Sequence, residues 1–170
     1  MLQKVQVEQY FDAEKSEALL FMIVGAAAIV TALGFWLYLK TQWAIGFVIP
    51  LVLLGIVQIT VGWTVYKNSD RQRTDVIYAM DLDPASIRDK EVPRMQKVMR
   101  NFLIYRYAEI FFCVLGIVLV ALGYYKGVHH WWNGLGLGLL IQSIILLVLD
   151  FFAEKRGAHY LNDLIAWVQR

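Results

Sequence analysis

Four long stretches free of Asp, Glu, Lys, Arg and His limit what this chain can fold into. They cover residues 18–39, 41–66, 110–125 and 131–149, which are 22, 26, 16 and 19 residues long. A helix needs about 17–25 mostly apolar residues to cross the hydrocarbon layer of a bilayer. The composition agrees, since 59% of the residues are hydrophobic and only 18% are charged. The sequence therefore predicts an integral membrane protein with four spans.

The same stretches predict helices rather than strands. Inside hydrocarbon every backbone N–H and C=O must find a partner within the protein, so only helices and closed barrels cross a membrane. Barrel strands would alternate in polarity over about 10 residues. Residues 18–30 (ALLFMIVGAAAIV) and 143–149 (SIILLVL) are instead apolar on every face. We expect an all-α, polytopic fold.

Helices are also expected outside the spans, within a single membrane domain that covers residues 1–170. In the region between spans two and three, Asp83 followed by Pro84 is typical of a helix start, and the helix after Pro93 should run directly into span three. The spans are placed at 17–39, 43–66, 102–125 and 131–152. The other segments are an amphipathic lead-in at 1–16, a helical linker at 67–101 and an amphipathic tail at 153–170.

The distribution of Lys and Arg predicts that both termini lie in the cytoplasm. Of the 16 Lys and Arg residues, only Lys40 and Lys126 fall in the short loops after spans one and three. Basic residues near span ends are retained on the cytoplasmic side, so the lead-in, the linker and the tail are expected there. We therefore expect a multi-pass protein of the inner (cell) membrane.

The two halves of the chain suggest an internal duplication. Residues 11–25 align with residues 102–116 at an offset of 91. Both halves begin on the same side of the membrane, so the two hairpins would be parallel repeats about an axis along the membrane normal. Further along, at an offset of 88, the matched pairs are Trp43 with Trp131 and Gly46 with Gly134.

A charged collar is expected where the helices leave the membrane at their cytoplasmic ends. Arg106 and Glu109 lie three residues apart, on one face of a helix, and are able to pair. Ionisable groups at membrane depth suggest function by default, whereas long side chains at a span end reach water. Both an ion-pair collar and an ion or ligand site therefore stay open. The collar residues are Glu17, Arg106, Glu109, Asp150, Lys155 and Arg156.

Three polar or helix-breaking residues lie well inside the spans. Gln58 and Gln142 are the most polar side chains there, and such amides usually form hydrogen bonds between helices. They would also suit the wall of a cavity. Pro50 removes the helical hydrogen bond to the carbonyl of Gly46, so a kink is expected in span two.

Small residues predict close helix packing on two spans. Gly134 and Gly138 are four residues apart in span four, a spacing that lets helix backbones approach closely. Ala28 and Ala32 form a similar flat patch on span one. These patches would pack helices within the chain or join two copies of it as a homodimer.

The sequence contains no recognisable catalytic or metal-binding motif. HExxH, GxSxG, P-loop and paired-carboxylate patterns are all missing. His129 and His130 are adjacent and have no Cys or acidic neighbour, so we expect no metal there. Residues 67–100 contain eight basic and six acidic residues. Because the acidic residues neutralise most of the positive charge, we expect no nucleic-acid partner. We expect neither enzyme activity nor a cofactor.

These observations favour a protein that acts by binding. The first hypothesis is a small inner-membrane protein that recognises another membrane protein or a membrane-active toxin, as accessory subunits and immunity proteins do. The alternative is a small homo-oligomeric transporter or channel, which the paired hairpins and Pro50 would suit. Against that alternative, the middle of each span lacks the ionisable residues that coupled carriers usually place along their pathway.

Overall fold

The computed structural model describes residues 3–126 and 130–169, and these residues form helices and short turns without any strand. The predicted all-α fold with four apolar helices, each long enough to cross a membrane, is confirmed. His129 lies outside the described residues. The elements are α1 (Lys4–Tyr38), α2 (Gln42–Leu82), α3 (Pro84–Ser86), a π-helical turn (Ile87–Glu91), α4 (Val92–Lys126) and α5 (His130–Val168).

The four long helices lie in the order α1, α2, α5, α4. Helix α1 packs on α2, α4 packs on α5, and the two hairpins meet through α2 and α5. Burial follows this order, since 39% of the most apolar part of α2 and 28% of that of α5 are buried, against 17% for each outer helix. Large side chains such as Val30, Leu53 and Phe111 point outward. An apolar exterior of this kind suits a lipid surrounding.

The helices are longer than a membrane is thick. Helix α2 has 41 residues, which at about 1.5 Å per residue gives a length of about 62 Å. The hydrocarbon layer is only about 30 Å thick. At one end of the bundle the four helices pack together outside their uncharged stretches, and we call this end the head (residues 4–14, 70–100 and 156–168). The linker expected at 67–101 is therefore the end of α2, then α3, the π turn and the start of α4.

The head has its own apolar core. All four long helices and the π turn contribute to it, and the rings of Tyr10 and Tyr160 stack at 3.9 Å between centroids. Ion pairs on the surface join α1 to α2, for example Lys4 with Asp81 at 2.7 Å. The head is therefore a packed extension of the bundle. Its core residues are Val7, Tyr10, Phe11, Val76, Ala79, Ile87, Met95, Tyr160 and Leu164.

The π turn has a local cause in Pro93. A proline ring inside a helix presses on the carbonyl four residues earlier, here that of Asp89, and supplies no N–H for it. Widening the preceding turn relieves this clash, and the N–H of Val92 bonds to the carbonyl of Ile87 instead. The turn places Glu91, which is only 8% exposed, against the core of the head.

Helices α2 and α5 touch most closely near the end opposite the head. A Cβ atom placed on Gly46 would lie 2.1 Å from the carbonyl oxygen of Trp131, and one on Gly134 would lie 2.0 Å from that of Trp43. The contact is reciprocal, as a two-fold axis between the hairpins would require. The internal duplication itself stays a prediction. Glycine is needed at both positions because the backbones leave no room for a side chain.

The other small residues predicted to pack helices also face α2. Gly138 lies against Pro50, whose Cγ atom would be 2.6 Å from an added Cβ. Ala28 and Ala32 are buried with residues of α2. Helix α2 continues through Pro50. Both small-residue faces are thus used within the chain.

Candidate functional site

A cavity of about 570 Å³ lies among the four long helices where the spans meet the head. On α1, α2 and α5 its lining residues lie between two levels of the bundle. One level is that of the Tyr10–Tyr160 stack, and the other is that of the Gln58–Gln142 hydrogen bond. We call it the interhelical cavity. Most of its wall is apolar, formed by residues such as Phe21, and the polar groups in its lining include Tyr10, Glu14, Glu17, Thr64, Asn68, Gln72, Arg94, Asp150 and Arg156.

The two intramembrane glutamines meet on the membrane side of this cavity. The Nε2 atom of Gln142 donates to Oε1 of Gln58 at 2.6 Å, and both side chains are at most 1% exposed. The bond joins α5 to α2, which is the interhelical role considered for these amides. Among the described residues, Gln58 Nε2 and Ser143 Oγ have no hydrogen-bond partner. Two polar atoms at this α2–α5 interface are therefore buried without a hydrogen-bond partner in the described parts of the chain.

A buried polar network closes the cavity on the head side. Arg94 donates two hydrogen bonds of 2.7 Å to the Glu91 carboxylate, and the Tyr160 hydroxyl donates to Glu91 at 3.2 Å. Tyr10 donates to Glu14, also at 3.2 Å. Burial raises the pKa of both tyrosines. The phenols thus stay neutral hydrogen-bond donors at physiological pH.

Of the six predicted collar residues, three take part in ion pairs among the described residues. Arg156 pairs with Glu17, which ties α5 to α1. Arg106 pairs with Glu154 of α5.

The other three collar residues form no ion pair within residues 3–126 and 130–169. Lys155 is exposed. Glu109 is only 6% exposed and lies beside Asp150. The structure thus brings together two cation–carboxylate pairs and one pair of adjacent carboxyl groups.

Glu14 has an unusual environment for a carboxyl group. Its Oε2 atom is buried and has no hydrogen-bond partner among the described residues. Burial raises the pKa of Glu14 above its usual value of 4.5, although the Arg94 charge acts in the opposite direction. The ionised form is therefore disfavoured in the folded protein.

We expect Glu14→Gln to stabilise the protein at pH 7 to 8. Since the pKa of Glu14 is raised on folding, its contribution is most favourable below pH 4.5 and is lost as the pH rises through the folded pKa. The gain in Tm over the wild type should shrink as the pH falls towards 4.5. Thermal unfolding in detergent at several pH values measures it, with the exposed Glu8→Gln as control. An unchanged or lowered Tm at neutral pH would contradict the assignment.

Several residues of the site were not predicted from the sequence. Glu91 and Arg94 lie three residues apart, a spacing that marks a possible helical pair. Tyr10 and Glu14 are four residues apart, which is also a spacing that brings two side chains together on a helix. Glu154 follows Asp150 in the charged region expected at the end of span four, but its pairing with Arg106, 48 residues away, was not predicted because no local pattern connects the two.

The chain matches no family model, no curated protein and no solved structure. Within residues 3–126 and 130–169, no three His, Cys, Asp or Glu side chains are placed to hold a metal ion. The head and the interhelical cavity are the two candidate functional regions.

Proposed function

We propose that this multi-pass membrane protein acts by protein–protein interaction, with the head as its recognition surface. In this proposal the head lies on the cytoplasmic side of the inner membrane and binds a membrane protein or a membrane-active toxin. The protein would serve as an accessory subunit or an immunity protein, and it would act without catalysis. A second copy of the chain is a further possible partner.

The observation that carries this proposal is a group of exposed apolar side chains on the head. Val5 is 56% exposed, Tyr78 63% and Leu82 68%. The ion pair between Lys4 and Asp81 holds the start of α1 beside the end of α2, which brings this region together. These side chains lie outside the spans, so lipid tails do not cover them. Exposed apolar patches rimmed by charge are typical of protein-binding sites, and tyrosine is enriched among their strongest contacts.

Affinity isolation in mild detergent tests the proposal. We expect the wild type to recover one stoichiometric partner, or to self-associate, and the double variant Tyr78→Asp/Leu82→Asp to lose it. The exposed Lys97→Glu on α4 serves as a charge-changing control and should keep the partner. Because Tyr78 and Leu82 are exposed, the variant should unfold at the wild-type temperature. Recovery of no partner under several conditions, or equal recovery by the double variant, would count against the proposal.

The interhelical cavity favours a second candidate, a small transporter or channel. The cavity contains acidic and basic groups at the ends of the spans. The two hairpins meet at the close α2–α5 contact at Gly46 and Gly134, which we call the glycine crossing. Rocking of one hairpin against the other about this contact would alternately open the two ends of the bundle. Flux assays in proteoliposomes, with Asp150→Asn as the comparison, separate the two candidates. A flux that the substitution abolishes would favour transport over recognition.

A further inference from the structure

Helix α4 carries a concentration of positive charge where it leaves the membrane. Residues 92–108 contain four basic side chains and no acidic one. The six acidic residues between positions 67 and 100 all precede this segment, on α2, on the π turn or at Asp83 between α2 and α3. The charge of that region is nearly balanced as a whole, but its positive part is concentrated on α4. The four basic residues are Arg94, Lys97, Arg100 and Arg106.

Two of these four cations are matched by a carboxylate and two are not. Arg94 and Arg106 form the ion pairs described above. Lys97 and Arg100 are exposed and form no ion pair within the described parts of the chain. They lie three residues apart, so their Cβ atoms are neighbours on one face of the helix, about 5–6 Å apart. Both side chains can therefore reach a single anionic group.

The same face of α4 continues towards the membrane as an apolar stripe. Ile104, Tyr107 and Phe111 follow Arg100 at intervals of four, three and four residues, which keeps them on one side of a helix. Their side chains are 59%, 71% and 61% exposed. Ile104 lies about 6 Å from Arg100 along the axis, at about 1.5 Å per residue. One helix face thus presents an apolar surface and, directly beyond it, two unmatched cations.

The change from apolar to basic residues occurs at the depth where a bilayer changes from hydrocarbon to headgroups. The hydrocarbon layer is about 30 Å thick and the whole bilayer about 40–45 Å, which leaves about 5–8 Å for each headgroup layer. Span three is predicted at 102–125. Arg100 and Lys97 therefore lie about 3 Å and about 8 Å beyond its first residue. Phospholipid phosphates lie in that layer, so the two cations are placed to meet them.

We propose that this face of α4 binds an anionic phospholipid. The lipid phosphate would accept hydrogen bonds from Lys97 and Arg100, and an acyl chain would lie along Ile104, Tyr107 and Phe111. Charge complementarity identifies the occupant, because basic residues next to a span attract anionic headgroups, whereas a zwitterionic headgroup brings a positive charge of its own. The exposed apolar patch on the head belongs to α1 and α2. The lipid site therefore goes beyond the proposed recognition function and does not depend on it.

Native mass spectrometry of the purified full-length protein tests this assignment. The protein in detergent is mixed with equal amounts of phosphatidylglycerol and phosphatidylcholine that carry the same acyl chains. One basic residue beside an anionic lipid changes binding by about fivefold, so we expect bound phosphatidylglycerol to exceed bound phosphatidylcholine by about fivefold or more. Equal retention of the two lipids would overturn the proposal.

Two matched double variants locate the preference. Lys97→Gln/Arg100→Gln should lower the ratio of the two bound lipids to about twofold or less, whereas Arg88→Gln/Lys90→Gln should keep the wild-type ratio. Each variant removes two cations from the head, but the second pair lies on the π turn, further from the spans. All four side chains are exposed, so both proteins should unfold at the wild-type temperature. An equal fall in both variants would indicate an effect of net charge alone and would refute the site.

Fluorescence quenching in proteoliposomes tests whether the lipid chain lies on the apolar stripe. A bimane label is attached to Ile104→Cys in a Cys113→Ala background, which has no other cysteine. Phosphatidylglycerol with brominated chains should quench the label more strongly than phosphatidylcholine with the same chains, and Lys97→Gln/Arg100→Gln should abolish the difference. The same label at Val30→Cys, a 68% exposed position on α1, should show no difference. A difference that is absent at position 104, or equal at both positions, would contradict the proposal.

Discussion

Gly134→Ala is expected to separate the two hairpins and to give one of the largest losses of stability of any single methyl addition in this chain. The new Cβ atom would lie 2.0 Å from the carbonyl oxygen of Trp43 and 3.0 Å from the nitrogen of Phe47. Both are backbone atoms, which move only with the whole helix. Overpacking usually costs about 1–3 kcal/mol, and we expect about 3 kcal/mol or more here. Gly46→Ala, on the other side of the contact, should behave alike.

Gly34→Ala is the matched control for this prediction. A Cβ atom at Gly34 would meet nothing within 4 Å, and alanine favours a helix more than glycine does. Its Tm in detergent should equal or exceed that of the wild type, whereas Gly134→Ala should lower the Tm by about 10 °C. Cross-linking between cysteines placed on α2 and α5 would report the separation directly. Equal Tm values for the two variants would show that the crossing is not tight.

Arg94→Met is expected to destabilise the protein by about 3 kcal/mol, because removing one partner of a buried ion pair leaves the other charge uncompensated. Burial alone would lower the pKa of Arg94, but the hydrogen bonds with Glu91 outweigh it, so the pKa is raised and the guanidinium stays charged. Glu91 is only 8% exposed. Without Arg94, the hydroxyl of Tyr160 would be the one hydrogen-bond donor left to its carboxylate among the described residues.

Two comparisons make this prediction specific. Arg88→Met removes the exposed pair with Asp89, whose side chains are 68% and 59% exposed, and should cost at most about 1 kcal/mol. The double variant Arg94→Met/Glu91→Leu removes both charges and should recover part of the loss, since no buried charge is left alone. Thermal unfolding in detergent gives these three values and that of the single variant Glu91→Leu, which completes the cycle. A double variant as unstable as the sum of its single changes would show that the pair does not act as a unit.

The sequence predicted the fold because the physics of the bilayer acts on whole segments. A stretch of about 20 residues without charge has few other stable structures available. The same reasoning placed Gln58 and Gln142 inside the spans and gave Gly134 a packing role. It did not reveal that Gly134 meets the backbone of Trp43, because the face that one helix presents to another depends on the arrangement of all four.

The site was less accessible to sequence analysis for the same reason. Arg106 has Glu109 three residues away, yet in the structure it reaches across to Glu154 on α5. Glu14 belongs to a polar lead-in that looks like a solvated helix face, and only the approach of α2, α4 and α5 buries it. The interhelical cavity is the space left among helices of fixed length. No local pattern in the sequence encodes such a space.

Helix α2 is continuous from Gln42 to Leu82, so a small tilt at one end gives a larger displacement at the other. From the glycine crossing at Gly46 to its end at Leu82 the helix runs for about 54 Å at about 1.5 Å per residue. A tilt of about 5° at that fulcrum would swing the far tip by about 5 Å, given a rigid rod of this length. An event on one face of the bilayer would thereby be amplified into a displacement on the other.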